Sequence, residues 1–327
     1  LIAYTEKFDR KSISGKMLYK QVAQLAAFLK DKGIKQGDRV AGIVGNTIET
    51  LVAMLATTSL GAVWSSCSPE FGENGIIDRF SQIDPVFLFF TNTYTYGGKT
   101  HVTADKVKAV KNNISSIQTC VDLTDRSSEF ETYASILKNY QHIDTIEYVA
   151  VSFDSPLFIM YSSGTTGKPK CIIHSVGGTL MQHIKEHKYH VNLKPGDKMM
   201  WYTTCGWMMW NWLVSGLACG VTIILYDGSI VYPNTAVLFD IIEKENAEVL
   251  GLSPKYLSIC EKEGIEPVKT HSFKRLKSIL STGSPLPEQG FRYVYNKVKP
   301  TVHLASVSGG TDIISCFFGG NITLPVY

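Results

Sequence analysis

The feature that most constrains the fold is a regular alternation of short apolar segments with amphipathic ones. Arg39–Gly45, Ala62–Ser66 and Val86–Phe90 are apolar enough to be buried strands. Between the first two, Thr47–Leu60 has the apolar spacing of a helix, which Asn46 is expected to begin. Strands that alternate with helices are typical of a parallel sheet with helices on both faces.

The alternation resumes after a polar stretch at about residues 127–148. Further strands are predicted at Pro156–Tyr161, Val221–Tyr226, Glu248–Leu252 and Ser278–Leu280, with a helix at Gly178–His190. The chain has 327 residues, which is more than one core usually holds. We therefore expect an α/β protein with two doubly wound, Rossmann-like lobes, residues 1–145 and residues 146–327. Ligands of such sheets bind where strands end and loops gather.

Composition and charge exclude several classes of function. The net charge is +3 and the basic residues are scattered, so a nucleic-acid surface is not indicated. The seven cysteines are widely spaced and form no CxxC pair, which argues against a disulfide framework and against zinc. His183 and His187 have the i, i+4 spacing of metal ligands, but the HExxH pattern fails. We expect these two histidines, and also His174 and His190, at the surface.

One uncharged stretch, Met199–Tyr226, is long enough to suggest a membrane helix of about 20 residues. It contains threonine, asparagine, serine and glycine residues, so a strand, a loop, a buried helix and a second strand are predicted instead. A membrane-embedded interaction protein is the alternative interpretation of this stretch.

The strongest chemical signal is the ten-residue segment Tyr161–Lys170, which directly follows a predicted strand. Its glycines let backbone N–H groups approach an anion closely, and Lys168 adds a charge suited to phosphate. The candidate ligands of a polyphosphate are Ser162, Ser163, Gly164, Thr165, Thr166, Gly167 and Lys168. The segment is not a Walker P-loop, because only two residues separate the glycines and a proline follows the lysine. Composition alone would favour a solvated hairpin.

As a string, however, Tyr161–Lys170 resembles the phosphate loop of the AMP-forming acyl-CoA synthetases, which belong to the adenylate-forming superfamily. Other segments follow in the order that this family has. Gly283, Ser284 and Pro285 resemble the segment that lies against adenine, and Gly206-Trp207 resembles the start of the acyl-pocket helix. Gly309-Gly310-Thr311-Asp312 resembles the motif that contacts the α-phosphate and Mg²⁺. The likeness covers nearly the whole chain.

This resemblance implies a two-step ligase reaction. A carboxylate displaces pyrophosphate from the α-phosphorus of ATP, and the thiol of coenzyme A then attacks the acyl-adenylate. By analogy, Lys168 holds the departing phosphates, Gly310 and Thr311 lie at the α-phosphate, and Asp312 holds Mg²⁺. The family usually has glutamate where this chain has Asp312, which is one methylene shorter. Capping of a loop or helix is the alternative role for Asp312.

The resemblance also bears on the acid. Leu1–Glu6, Asp78–Ile83, Gly206–Trp212, Ser281–Leu286 and Ser308–Phe317 resemble the branch of the family that activates acetoacetate. The implied acyl pocket contains Trp207, Met208, Met209 and Gly309. In acetyl-CoA synthetases a tryptophan stands at the position of Gly309, so glycine is expected to leave room for the longer acetoacetate. Core packing is the alternative role for Trp207 and the two methionines.

Family members continue into a small mobile C-terminal domain. The chain is therefore expected to lack this domain and to have little complete synthetase activity alone. The implied small-molecule partners are ATP with Mg²⁺, acetoacetate and coenzyme A, and a cytosolic location is expected. Two other interpretations stay open: another short- or medium-chain acid, or a non-catalytic nucleotide-binding module.

Overall fold

The computed structural model describes residues 1–162 and 167–324. Its strands are β1 Ile2–Thr5, β2 Arg10–Ser12, β3 Arg39–Ile43, β4 Val63–Cys67, β5 Phe87–Phe90, β6 Thr93–Tyr96, β7 Lys99–Val102, β8 Thr119–Asp122, β9 Glu131–Thr132, β10 Pro156–Ser162, β11 Lys170–Ser175, β12 Lys198–Trp201, β13 Thr222–Asp227, β14 Val249–Leu252, β15 Ser278–Ser281, β16 His303–Ser306, β17 Ser308–Gly310 and β18 Ser315–Phe318.

The α-helices are α1 Gly15–Asp31, α2 Ile48–Ser59, α3 Glu73–Phe80, α4 Ala104–Asn113, α5 Tyr133–Asn139, α6 Val176–Lys185, α7 Met208–Ser215, α8 Val237–Glu245, α9 Pro254–Lys262, α10 Pro267–Thr270 and α11 Glu288–Tyr293. Two π-helical segments, Glu186–His190 and Val294–Val298, extend α6 and α11. A 3-10 turn, Gly216–Cys219, follows α7.

The strands form two large, mostly parallel sheets, so the predicted α/β fold with two lobes is confirmed. The first sheet has the order β11-β10-β4-β3-β5-β8-β9, and the second has the order β16-β15-β14-β12-β13-β1-β2. The predicted division between residues 145 and 146 does not follow these sheets. β1 pairs with β13 of the second sheet, and β10 pairs with β4 of the first. The physical reason is burial, because Ile2 and Tyr4 of β1 lie in the core of the second sheet.

One buried cluster joins the two lobes. It contains Trp64 of the first sheet together with Trp201 and Leu225 of the second. The segment Met199–Tyr226 runs through this region as β12, a loop, α7 and β13, as predicted. Among the helices of the described residues, none is long and apolar enough to cross a membrane.

Asn46 has a different role from the one expected. The hydroxyl of Thr47, not the side chain of Asn46, caps α2. Asn46 is buried, accepts a hydrogen bond from Nε1–H of Trp210 at 3.0 Å and donates to the carbonyls of Thr203 and Tyr226. Since α2 belongs to the first lobe and Trp210 to the second, Asn46 links the lobes by hydrogen bonds.

Candidate active site

The candidate site lies where β12, β15 and β16 of the second sheet end. Parallel pairing through β14 brings the carboxyl ends of these strands to one edge. The loop after β12 leads to Trp207, the loop after β15 carries Gly283, and the segment after β16 carries Gly309 and Thr311. The topology therefore gathers three segments that are far apart in the sequence, at the edge where open α/β sheets bind ligands.

A cavity with about 700 Å³ of empty space, partly open to solvent, lies between these segments. The predicted site residues in its wall are Trp207, Met208, Met209, Gly283, Gly309, Gly310 and Thr311. Other wall residues were not predicted, among them Glu186, His190, Trp201 and Trp212. A largely apolar wall with a few polar groups is typical of a site for a small molecule.

Trp207 lies in the cavity wall close to Gly283, which the sequence predicts beside adenine. A Cβ atom built on Gly283 would lie 3.7 Å from Cζ2 of Trp207. Gly283 has a φ of +101°, which favours glycine. Met208 and Met209 are each 5% exposed and belong to the large core as well as to the cavity wall. Both roles considered for the methionines from the sequence are therefore compatible with their positions.

Gly309 is constrained by its hairpin partner. β17 pairs with β18, and Gly309 lies opposite Cys316. A Cβ atom on Gly309 would lie 2.0 Å from the carbonyl oxygen of Ser315 and 2.6 Å from Cα of Cys316. The space beside Gly309 that the sequence assigned to a longer acid is thus filled by the β18 backbone. The missing side chain lets β18 approach, and Ser315 and Cys316 then form part of the cavity wall.

Glu186 is a buried carboxylate in the cavity wall, with 3% exposure. Its oxygens accept hydrogen bonds from Nε1–H of Trp212 at 2.7 Å and from the amide of Gln182 at 3.1 Å. The Ser315 hydroxyl donates to it, as do the backbone N–H and the thiol of Cys316. Burial opposes the charge, but these hydrogen bonds outweigh burial and hold the pKa of Glu186 below its ordinary value. Glu186 is therefore ionised at neutral pH.

Two histidines hold the backbone of the segment that carries Thr311. Nε2 of His174 lies 2.7 Å from the Thr311 carbonyl, and Nε2 of His183 lies 2.6 Å from the Ile314 carbonyl. Because a carbonyl only accepts hydrogen bonds, Nε2 carries the proton in both rings. Burial lowers the pKa of both imidazoles, that of His183 to about 4. Both rings are therefore neutral donors at pH 7.

The expectation of surface histidines is wrong for His174, His183 and His187, which are 8%, 0% and 0% exposed. Nε2 of His187 donates to the Trp212 carbonyl at 3.0 Å. His190 is partly buried, and its Nδ1 donates to a carbonyl at 3.0 Å. The physical reason for His183, His187 and His190 is that α6 and its π-helical extension pack against α7 and the segment after β16. His174 lies on β11 instead, where its imidazole pairs with the Thr311 carbonyl.

Comparisons with known proteins identify the family. Residues 2–320 match the family described as AMP-binding enzyme. The chain belongs to this family. It is 46% identical to acetoacetyl-CoA synthetase of Gallus gallus over 322 residues, which cover 95% of this chain and 48% of the relative. Over 313 residues it is 46% identical to acetoacetyl-coenzyme A synthetase of Rhizobium meliloti (strain 1021), covering 94% of this chain and 48% of the relative.

Among solved structures, acetoacetyl-CoA synthetase from Streptomyces lividans matches with a TM-score of 0.94 and 40% identity. The match covers 100% of this chain and 51% of that chain. The resemblance to AMP-forming acyl-CoA synthetases is thus confirmed. The chain spans about half the length of the curated relatives it matches.

The segment predicted to be the phosphate loop is described only at its ends. Ser162, Gly167 and Lys168 are described, whereas Ser163, Gly164, Thr165 and Thr166 lie outside the described residues. The side chain of Lys168 is exposed, and its Nζ lies 3.4 Å from Oδ1 of Asp78. The amide of Gln82 donates to the carbonyl of Pro169 at 2.9 Å. The end of the loop therefore rests against α3 and the residues that follow it.

Other predicted residues that the structure describes, Ser284, Pro285 and Asp312, are not part of the cavity wall. Ser284 and Pro285 are exposed directly after Gly283. Asp312 is also exposed, next to Thr311. Residues 1–162 and 167–324 contain no group of three side chains that could hold a metal by themselves. Asp312 nevertheless fits Mg²⁺, which is usually bound by one or two carboxylates together with phosphate oxygens.

Sequence reasoning missed the side chains that hold the segment after β16. A signal for them was present in the predicted helix. Thr179, His183, Glu186 and His190 recur at spacings of four, three and four, which puts polar groups along one face. In the structure this polar face is the buried one, whereas Leu180 and Met181 on the same helix are exposed. A buried polar face indicates polar partners on a neighbouring segment.

Proposed function

We propose that the chain binds ATP with Mg²⁺ and activates acetoacetate as its acyl-adenylate, from which coenzyme A takes the acyl group. The observation that carries this proposal is the shared cavity. Gly283 and Thr311, assigned to the nucleotide, line the same wall as Trp207 and Met208, assigned to the acid. Such a cavity lets a carboxylate and an α-phosphate meet in a fixed orientation, which is what adenylate formation requires.

The first step joins two anions. A carboxylate oxygen of acetoacetate forms a bond to the α-phosphorus, and the bond from that phosphorus to the pyrophosphate oxygen breaks. We assign Lys168 to the departing phosphates and Thr311 to the α-phosphate. His174 supports this assignment, because its hydrogen bond fixes the Thr311 carbonyl before a ligand arrives. Asp312 would hold Mg²⁺, which when bound supplies positive charge to the phosphate oxygens.

In the second step, the sulfur of coenzyme A forms a bond to the acyl carbon, AMP leaves, and the thiol proton passes to solvent. We also propose a cytosolic location. All seven cysteines are free thiols and five of them are buried, which suits a reducing compartment.

Calorimetric titration of the chain with ATP and Mg²⁺ tests the nucleotide part. Saturable binding is expected, and Lys168→Ala should weaken it about 10- to 100-fold, because a hydrogen bond to a charged group contributes about 1.5–3 kcal/mol. Lys170→Ala is the matched control, since Lys170 is an exposed lysine two residues further along the chain with no assigned role. Equal affinities of Lys168→Ala and the wild type would contradict the phosphate assignment.

The acid is tested separately. Exchange of labelled pyrophosphate into ATP that depends on acetoacetate would distinguish an enzyme from a non-catalytic nucleotide-binding module. Butyrate has the same chain length without the oxo group, so stronger exchange with butyrate would favour a different short-chain acid.

A further inference from the structure

We propose that Glu186 determines which acids the cavity accepts, by excluding those that carry a second carboxylate. This inference rests on the proposed function, because it assumes that the acid binds in the cavity described above.

Glu186 places a negative charge in the wall of the cavity, beside residues assigned to the acid. Trp207 contacts the loop of Gly283 and directly precedes α7. Trp212, which donates to Glu186, lies one helical turn beyond Met208, and a turn of α-helix advances about 5.4 Å. Cys316, which also donates to Glu186, pairs with Gly309. Glu186 is therefore bonded to wall residues near both Met208 and Gly309, which are assigned to the acid, so an acid that binds there lies close to this carboxylate.

Few neighbouring charges offset this carboxylate. Its donors Ser315, Cys316 and Trp212 are neutral groups. Nζ of Lys185 lies 3.9 Å away, but that side chain is 42% exposed, so water screens its charge.

The buried imidazoles nearby do not offset the charge either. Burial lowers the pKa of His183 to about 4 and that of His187 to about 3. Both are therefore neutral at pH 7, and the negative charge of Glu186 persists in the wall.

A fixed negative charge distinguishes acids by the charge of the end opposite the carboxylate that is activated. The acetyl group of acetoacetate is neutral, whereas malonate carries a second carboxylate at a similar position. The carboxylate of Glu186 and the second carboxylate of malonate would repel each other strongly in a partly desolvated site. Such repulsion lets a site reject one ligand while it accepts another of similar shape. Glu186 is thus expected to admit oxo acids and to exclude dicarboxylates.

The first test needs only the wild-type chain. Binding of acetoacetate, malonate and the monomethyl ester of malonate is measured by calorimetry at pH 7.5 with saturating α,β-methylene ATP and Mg²⁺, so that no turnover occurs. The ester has nearly the shape of malonate but a neutral far end. We expect the ester and acetoacetate to bind at least about tenfold more tightly than malonate. Equal binding of malonate and its ester would overturn the inference.

The second test uses Glu186→Gln, which keeps the shape and removes the charge. The ratio of malonate affinity to ester affinity should rise at least about tenfold in this variant. Gln182→Ala is the matched control, because it removes one donor to Glu186 and one contact to Ser315 but keeps the charge. A merely structural role predicts equal changes in both variants, whereas a role in selectivity predicts a changed ratio only in Glu186→Gln.

Failure of the proposed function and failure of the role of Glu186 give different results in these tests. If the wild-type chain binds the nucleotide but none of the three acids, the proposed acid site fails and this inference fails with it. If acetoacetate binds but the ratio is the same in Glu186→Gln and the wild type, the proposed function stands and the inference is overturned. If Glu186→Gln does not fold, the comparison of malonate with its ester in the wild type decides alone.

Discussion

The proposed phosphate end of the candidate site, at Lys168, and its proposed acid end, at Glu186, are built differently. At the phosphate end, the Lys168 side chain is 69% exposed and forms an ion pair with Asp78 at 3.4 Å. At the acid end, Glu186 is 3% exposed and accepts hydrogen bonds from Trp212 and Cys316. An exposed ion pair contributes about 0–1 kcal/mol to the free energy of unfolding. Removing a buried, hydrogen-bonded carboxylate instead leaves several hydrogen-bond donors unpaired.

At the exposed end a side chain supplies charge, whereas at the buried end side chains hold the backbone in place. If Lys168 binds phosphate as proposed, it loses only an exposed ion pair with Asp78, which costs little. The segment after β16 is instead fixed by His174, His183 and Glu186 before a ligand arrives. Substitutions at the acid end should therefore change stability, and substitutions at the phosphate end should change binding alone.

The largest effect is expected at Gly309. The substitution Gly309→Ala places a Cβ atom against the backbone of Ser315 and Cys316, which cannot move without breaking the hydrogen bonds to Glu186. We expect the free energy of unfolding to fall by about 2–3 kcal/mol, at the upper end of what overpacking usually costs. Urea denaturation followed by circular dichroism measures the change.

Gly310→Ala is the neighbouring control. The nearest atom to a Cβ on Gly310 is Oδ2 of Asp312 at 3.6 Å, an ordinary contact. The free energy of unfolding should therefore change by no more than about 0.5 kcal/mol. Similar losses in the two variants would mean that the close approach of β18 is not what makes this region rigid.

A second, smaller effect is expected from pH. The pKa of His183 falls from an ordinary value of 6.5 to about 4 in the folded chain, because burial disfavours the charged imidazole. Between these values the unfolded chain binds a proton that the folded chain does not. Stability is therefore complete above pH 6.5 and decreases toward pH 4, by up to about 1.4 kcal/mol per pH unit for one histidine.

His183→Gln tests this pH dependence, since the glutamine amide can still donate to the Ile314 carbonyl. The slope of unfolding free energy between pH 6 and pH 5 should become shallower by about 1.4 kcal/mol per unit. Glu186 does not interfere in this range, because its lowered pKa removes stability only below its ordinary value of 4.5. An unchanged slope would show that His183 is not the buried neutral group that the structure describes.

Much of the fold could be predicted because buried parallel strands are recognisable in the sequence as short, continuous apolar runs. Val86–Phe90 was predicted as a strand, and Phe87–Phe90 is one. The partner of β1 could not be predicted in this way. Ile2 pairs beside Ile224, and the pairing depends on tertiary packing that local sequence does not encode.

In the candidate site, too, local motifs could be predicted and distant partners could not. The predicted residues belong to short continuous motifs, and those of Trp207, Gly283 and Thr311 meet at one cavity because parallel strands end together. Glu186 and His183 escaped prediction because their partners lie about 130 positions away in the chain. A charged residue in a helix is usually solvated, and only the packing of α6 against the segment after β16 reverses that expectation.

The smallest effect on stability is expected at Lys168. Removing its exposed ion pair with Asp78 in Lys168→Ala should change the free energy of unfolding by no more than about 0.5 kcal/mol, although ATP binding weakens. Asp78→Asn should be similarly mild and should not weaken ATP binding, because it frees Lys168 without removing it. Thermal and urea unfolding of both variants measure this. A loss above about 1 kcal/mol in Lys168→Ala would mean that the phosphate end is also fixed by packing, and the contrast between the two ends would then disappear.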